Sequence, residues 1–321
     1  MVTPLFALMA GVCYLLFFTN LAPILYLSSI RNIYFECMDF VPTEYVYKMK
    51  PGPCQLNNIE FKTVLTHDAD GFRNSTVLPR YDVAAVGDSH SHGWGVHDDE
   101  TFSSLLSQRF GYSTRNLGIG SYATMRELEV FKEYGVDAKY VVIQYCDNDV
   151  SENVASLNLS RDEFKTRVAV AWRGRIEDYR KGKALGLRKP LVDLAGMIMN
   201  QSYQSLAQWR QGGDRRNVET EAQLFAQILA RYRPQLETKR VIVFESADSG
   251  HNSRRFRGAL SAELDKVGWL KYRALDSTTI LGFSDYYFLD GHPKAVGHAK
   301  LASAIAETIS DWEDHDPLLR R

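Results

Sequence analysis

With 321 residues, 45% of them hydrophobic and 24% charged, the chain has the make-up of an ordinary folded protein with ample core material. A net charge of −1 excludes the basic imbalance that nucleic-acid binding usually requires, so no nucleic-acid partner is expected. An aromatic content of 12% excludes disorder of the bulk of the chain.

From Pro4 to Ile30 no residue is charged and most positions are apolar. Such a run can cross a hydrocarbon core of roughly 30 Å as a helix. The opening Met1-Val-Thr-Pro4 has no Lys or Arg, so it lacks the basic region of a cleaved signal peptide. Residues 1–31 are therefore expected to be an uncleaved single-pass anchor, with Pro23 kinking it or ending its regular helix early. Arg31 favours a cytoplasmic side for the chain beyond the anchor, while Glu36 and Asp39 weaken that bias, so orientation stays open.

Residues 32–80 carry turn-formers (Pro42, Pro51-Gly52-Pro53, Asp68-Ala-Asp-Gly71) between short extended pieces such as Ile59–Val64. They read as a β-rich lead-in that could brace a sheet edge or shape a cleft. Cys37 and Cys54 could pair if the domain faces an oxidising space, whereas Cys13 and Cys146 read as buried thiols.

From residue 81 strand and helix patterns alternate, the signature of a parallel sheet covered on both faces. Val83–Val86 is the first strand, Thr101–Phe110 an amphipathic helix, Arg115–Leu117 a short strand and Thr124–Tyr134 a second helix. Tyr140–Tyr145 is a β-branched central strand. Residues 153–238 then break the rhythm as a long, mostly helical insertion. Its first part is basic, with Arg161, Lys165, Arg167, Arg173 and Arg175 among others. That pattern suits either a cap attracting an anionic substrate or lipid head groups, or simply a solvated helix face. The strand Arg240–Glu245, a helix near 254–266, the strand Leu270–Leu275 and a helix near 294–312 complete an α/β, doubly wound, five-stranded parallel sheet. Ligands bind such sheets at the carboxyl ends of the strands.

Four polar stretches fall at those ends. Val86-Gly87-Asp88-Ser89-His90 presents a serine just past the first strand. Asn116-Leu-Gly-Ile-Gly-Ser-Tyr122 offers two glycines for close backbone approach. Asp147-Asn148-Asp149 follows the third strand, and Asp290-Gly-His292-Pro293 precedes the last helix. Together they suit acyl transfer: Ser89 as nucleophile, His292 as its base and Asp290 orienting the imidazole. The backbone N–H groups of Ser89 and the glycine loop, with the Asn148 amide, would meet the oxyanion. Ser91 is a weaker nucleophile candidate because Ser89 alone directly follows the strand. Asp88 is expected to hold the loop, and His298 to be structural. His90 and His92 lack a third ligand cluster at suitable spacing, so neither a metal nor a cofactor is expected.

These four blocks in this order resemble the SGNH (GDSL-type) hydrolase superfamily. Gly87-Asp88-Ser89 continuing as His90-Ser-His-Gly93-Trp94-Gly95-Val96 is similar to the serine motif of its bacterial membrane-anchored members, as is Asp70-Gly71-Phe72-Arg73 in the lead-in. The resemblance implies Ser89 as nucleophile, oxyanion donors from Ser89, the second block and Asn148, and His292 as base. By spacing from Asn116 the family's oxyanion glycine falls at Ser121, so either Ser121 or Gly120 supplies that N–H. The usual acid, three before the histidine, is Leu289 here; Asp290 stands two before, as in related polysaccharide-modifying members. The expectation is a serine esterase or acyltransferase acting on O-acetyl groups of an extracytoplasmic, periplasmic glycan. A lipid or thioester hydrolase and a catalytically silent glycan-binding scaffold are the alternatives.

Overall fold

The computed structural model describes residues 33–74, 77–135, 137–183 and 217–315. The apolar stretch over residues 1–31 lies outside them, and among the described residues no helix is long and apolar enough to cross a membrane.

The lead-in forms two antiparallel hairpins, β1 (Met38–Phe40) with β2 (Tyr47–Met49) and β3 (Gly52–Asn57) with β4 (Lys62–His67). Along β4 the side chains alternate between exposed and buried, as a strand with one solvated face must. Cys37 and Cys54, whose pairing the sequence left open, are joined with their Cα atoms 5.9 Å apart. Tyr47, Leu56 and Leu65 are buried in the same apolar cluster as the central sheet, so the hairpins pack onto the body.

Beyond the lead-in, β5 (Val83–Val86), β6 (Thr114–Asn116), β7 (Tyr140–Tyr145), β8 (Arg240–Glu245) and β9 (Tyr272–Ala274) form one parallel sheet in the order β6-β5-β7-β8-β9. The first helices are α1 (Ser89–His92), α2 (Phe102–Phe110) and α3 (Thr124–Tyr134). After β7 come α4 (Val150–Asn158) and α5 (Arg161–Lys183), and before β8 α6 (Val218–Arg231) and α7 (Arg233–Leu236). Helices α8 (Phe256–Val267), α9 (Ser277–Ile280) and α10 (Ala295–His315) complete the chain.

Every residue of β5 and β7 is buried, as expected of strands covered on both faces. Ala84, Val86, Val141, Ile143 and Val243 share one cluster with Phe131 of α3, Phe225 and Leu229 of α6, and Leu260 of α8. Val83, Ala85, Val142, Ile242 and Phe244 share the other with Phe102 and Leu106 of α2 and Leu301 and Ile305 of α10. The period of two in the strands thus assigns the two helical layers. Because β5 lies between β6 and β7, the connections leave it in opposite directions. The crevice this opens is at the carboxyl end of β5, directly before Ser89.

Two sequence expectations need correction. Residues 153–238 are not one insertion: helix begins at Val150, and α6 is an ordinary crossover helix because Phe225 and Leu229 bury against the sheet. The true excess is α4, α5 and the stretch up to α6, of which residues 184–216 lie outside the described residues. Strand β6 starts one residue early, since its pairing with β5 aligns Thr114 with Val83. As expected, His292 stands ahead of the last helix, which starts at Ala295, beside an isolated bridge between Tyr286 and Pro293.

Candidate active site

Ser89 opens α1 immediately after β5 and is largely buried, with 8% of its surface exposed. Asp88 caps this helix, its Oδ1 accepting from the His90 N–H at 2.9 Å, which is the loop-holding role expected of it. The turn is fixed from two further sides. Gln144 Oε1 at the end of β7 accepts from the N–H groups of Asp88 and Ser91 at 3.1 and 3.2 Å. Buried Arg73 donates to the carbonyls of His92, Gly93 and Val96 and pairs with Asp98 at 2.7 Å. Arg73 belongs to the lead-in, so the Asp70–Arg73 block acts as a brace for the serine loop.

Ser89 Oγ lies 2.8 Å from His292 Nε2, and His292 Nδ1 lies 2.6 Å from Asp290 Oδ1. A carboxylate can only accept, so Nδ1 carries the proton and Nε2 accepts from the serine hydroxyl. The spacing of two between acid and base is workable because Gly291, at φ +84°, turns the chain between them. Burial alone would push the His292 imidazole down, but the charge of Asp290 and its hydrogen bond, with Asp248 and Asp88 behind, outweigh it. The net shift is above the ordinary histidine value.

Asp290 is held by residues the sequence did not single out. Its Oδ2 accepts from Asn58 Nδ2 at 2.7 Å and from Trp94 Nε1 at 3.3 Å. Glu60 accepts from three consecutive backbone N–H groups, those of Phe288, Leu289 and Asp290, each at 2.8 Å. Asn58 Oδ1 in turn accepts from the N–H groups of Glu60 and Phe61, which shapes the β3–β4 turn. The Trp94 ring stacks on His292 with centroids 5.4 Å apart. Nothing local to Asn58 or Glu60 advertises this role. The sequence reading puts Glu60 inside an extended piece, Ile59–Val64, whereas it stands in the turn between β3 and β4.

The second and third blocks, where the oxyanion donors were expected, lie on the other side of Ser89. Asn116 Nδ2 donates to the Ser91 carbonyl at 2.9 Å and its Oδ1 accepts from Gly118 N at 2.9 Å, clipping the glycine loop to α1. A Cβ on Gly120 would stand 3.7 Å from Ser89 Cβ and 2.6 Å from the Tyr34 hydroxyl, so only glycine fits there. The loop is pinned at its carbonyls: Gly120 O accepts from Tyr47 Oη at 2.7 Å and Ser121 O from Arg126. Ser121 takes φ +61°, the left-handed region that favours the glycine its family position predicts. Gly120 thus borders Ser89 directly, while exposed Ser121 follows it at the cleft edge. Asn148 is also exposed and reaches toward the site, with Nδ2 3.4 Å from Asp88 Oδ2. Its amide has a second N–H for a substrate oxygen.

The remaining candidates fall into supporting roles. Ser91 is fully buried and donates to the Val86 carbonyl at 3.3 Å, which removes it as a nucleophile. His298 is fully buried and its Nδ1 accepts from Phe102 N at 3.2 Å. His90 and His92 diverge: His90 contacts Ser246 Oγ at 2.7 Å and Asp248 at 3.2 Å, and His92 meets His67 at 3.0 Å between Nε2 atoms. Asp88, His90 and Cys146 each offer a donor atom within 4.8 Å of the others. Those of His90 and Asp88 are engaged in the bonds above, and burial pushes the Cys146 thiol well up.

The matching family model is that of the GDSL-like lipase/acylhydrolases, over residues 83–305. No curated protein sequence matches the chain. Similar solved structures include a G-D-S-L family protein from Desulfitobacterium hafniense DCB-2, 11% identical with a TM-score of 0.39, covering 70% of this chain and 97% of that one. A carbohydrate esterase family 2 enzyme with a carbohydrate binding domain from Corynascus thermopiles (Myceliophthora fergusii) is 14% identical, TM-score 0.43, covering 77% and 70%. An acetylxylan esterase from Geobacillus stearothermophilus is 11% identical, TM-score 0.37, covering 71% and 93%. With the family model spanning most of the chain, from the serine strand to the final helix, the chain belongs to the GDSL-like lipase/acylhydrolase family of SGNH hydrolases and is a hydrolase of ester bonds.

Proposed function

We propose that the protein is a serine esterase working through an acyl-enzyme on Ser89, with O-acetyl groups of an extracytoplasmic glycan as substrate. The observation that carries the mechanism is the continuous chain Ser89 Oγ–His292 Nε2, 2.8 Å, and His292 Nδ1–Asp290 Oδ1, 2.6 Å. Ser89 Oγ attacks the ester carbonyl as its proton passes to His292 Nε2. The negative oxygen so formed is met by the N–H groups of Ser89 and Gly120 or Ser121 and by the Asn148 amide. Collapse breaks the bond to the alcohol, which leaves with the proton from His292. Water, or a second hydroxyl in a transferase, then repeats the sequence on the acyl-serine. The glycan assignment is supported by the resemblance of the Asp-x-His spacing to polysaccharide-modifying members. The Cys37–Cys54 bridge supports an oxidising compartment. Residues 1–31 are proposed as the anchor to that membrane.

Turnover of 4-nitrophenyl acetate by the detergent-solubilised chain tests the reading. Ser89→Ala is expected to lower kcat by at least about 10³, and mass spectrometry of a rapidly quenched reaction should find the acetyl group on Ser89. Turnover that survives the substitution would refute the mechanism. A preference for long acyl chains over acetyl would move the substrate to lipid esters.

A further inference from the structure

Next to the oxyanion edge, a cavity of about 340 Å³ opens between Ser121, Asn148 and helix α5. The α5 wall consists of two rows at four-residue steps, which places each row on one stripe of the helix. Phe164, Val168 and Trp172 form the inner row and are buried. Arg167, Ala171 and Arg175 form the outer row and are exposed. The Arg175 guanidinium lies over the Trp172 ring, 4.7 Å from its centroid.

Three other basic side chains of this helix are already paired. Arg161 lies 3.6 Å from Glu44 and 3.5 Å from Glu129, Lys165 3.8 Å from Asp162, and Lys181 3.2 Å from Glu177. Arg167 and Arg175 have no carboxylate partner among the described residues. The acids across the cavity do not neutralise them. Glu152 is occupied by two bonds to buried Arg126, 2.6 and 2.8 Å. Asp149 is buried, with its Oδ2 accepting from Thr124 Oγ1 at 3.2 Å, and burial, then the neighbouring Glu127, push its carboxyl well up. The cavity therefore opens beside the reacting centre with two uncompensated guanidinium groups along its rim.

We propose that this cavity is a subsite for an acidic glycan, an oligosaccharide bearing carboxylates on its sugars, which Arg167 and Arg175 hold while one of its ester groups reaches Ser89. The proposal rests on the glycan-esterase reading above and narrows it. Two helical turns separate the two arginines, about 12 Å along the axis. That spacing suits two charges on one extended chain rather than a single compact phosphate. Guanidinium groups also favour planar carboxylates, which they bind through two parallel hydrogen bonds.

Titration calorimetry on the full detergent-solubilised chain carrying Ser89→Ala tests this without any turnover. The probe is an oligogalacturonate, with a neutral xylo-oligosaccharide of equal length as control. Oligogalacturonate is expected to bind, more weakly as salt is raised, and the pair Arg167→Ala and Arg175→Ala together should cost at least about tenfold in affinity. Lysine at both positions should restore part of the loss, because charge returns without the bidentate fork. Equal binding of the neutral chain, or a double variant that circular dichroism shows folded and that binds as before, would overturn the proposal. So would phosphatidylglycerol vesicles losing their hold in the double variant while oligogalacturonate keeps its own. Absence of 4-nitrophenyl acetate turnover in the unsubstituted chain is a separate result: it would sink the esterase reading and leave the titration to judge the anion subsite alone.

Discussion

His292 sits between two opposed influences. Burial favours the neutral imidazole, while Asp290, at 2.6 Å, favours the protonated one and with its neighbours prevails. A base must be neutral to accept the serine proton, so kcat/KM should rise with pH through a midpoint above the ordinary histidine value of about 6.5. Asp290→Asn removes the largest raising influence and leaves burial dominant. The midpoint should then move to lower pH, while turnover falls by about 10³–10⁴ because the tautomer is no longer enforced. A pH–rate profile of both proteins checks this, and an unmoved midpoint would show that Asp290 does not govern the base. At this scale the sequence was informative about Ser89, His292 and Asp290, since each stands where a core strand or turn stops. It could not choose between Gly120 and Ser121, because spacing alone does not say which one borders the nucleophile. Packing places Gly120 against Ser89, since a Cβ there would meet Ser89 and Tyr34.

At the scale of elements, the turn between β3 and β4 acts as a clamp on the loop that carries the acid. Glu60 holds three consecutive N–H groups of that loop, and Asn58 holds the Asp290 carboxylate itself. Glu60 is thus a positioning residue that acts through Asp290. Glu60→Ala should lower kcat for a small soluble ester by roughly 10–10² with KM little changed, the signature of misplaced rather than missing machinery. Glu60→Gln keeps one acceptor oxygen and should recover part of the loss. A fall confined to thermal stability, with kcat intact, would reduce the turn to scaffolding. The clamp was hidden in the sequence because its partners lie some 230 positions apart, and an Asn and a Glu at a hairpin turn look like solvated polar residues. The strands themselves were legible for the opposite reason. Their apolar runs are dictated locally, by burial on both faces. Where burial is one-sided or the strand is short, as in β6 and β9, the boundaries slipped by a residue or two.

For the whole molecule, the strand order puts the crevice at β5, and the two hairpins before the sheet close it from one side. The family model begins at Val83, yet Asn58, Glu60 and Arg73 all precede that residue, so the sheet alone would carry the serine and histidine without the parts that align them. Tyr34 ties the site to the start of the chain, because its hydroxyl would touch a Cβ on Gly120, the residue that borders Ser89. Between Ile30, where the apolar run ends, and Tyr34 the chain spans at most about 14 Å when extended. An enzyme tethered through that run would have almost no leash, and its working radius would be a thin shell above the bilayer. Inserting about twenty Gly and Ser residues after Arg31 adds roughly 25 Å of flexible reach. On acetylated chains grafted to vesicles at graded heights, the native enzyme should strip only the lowest esters and the lengthened one should climb higher, with soluble-ester turnover equal in both. Identical height profiles would mean that the tether does not set which esters the enzyme can find.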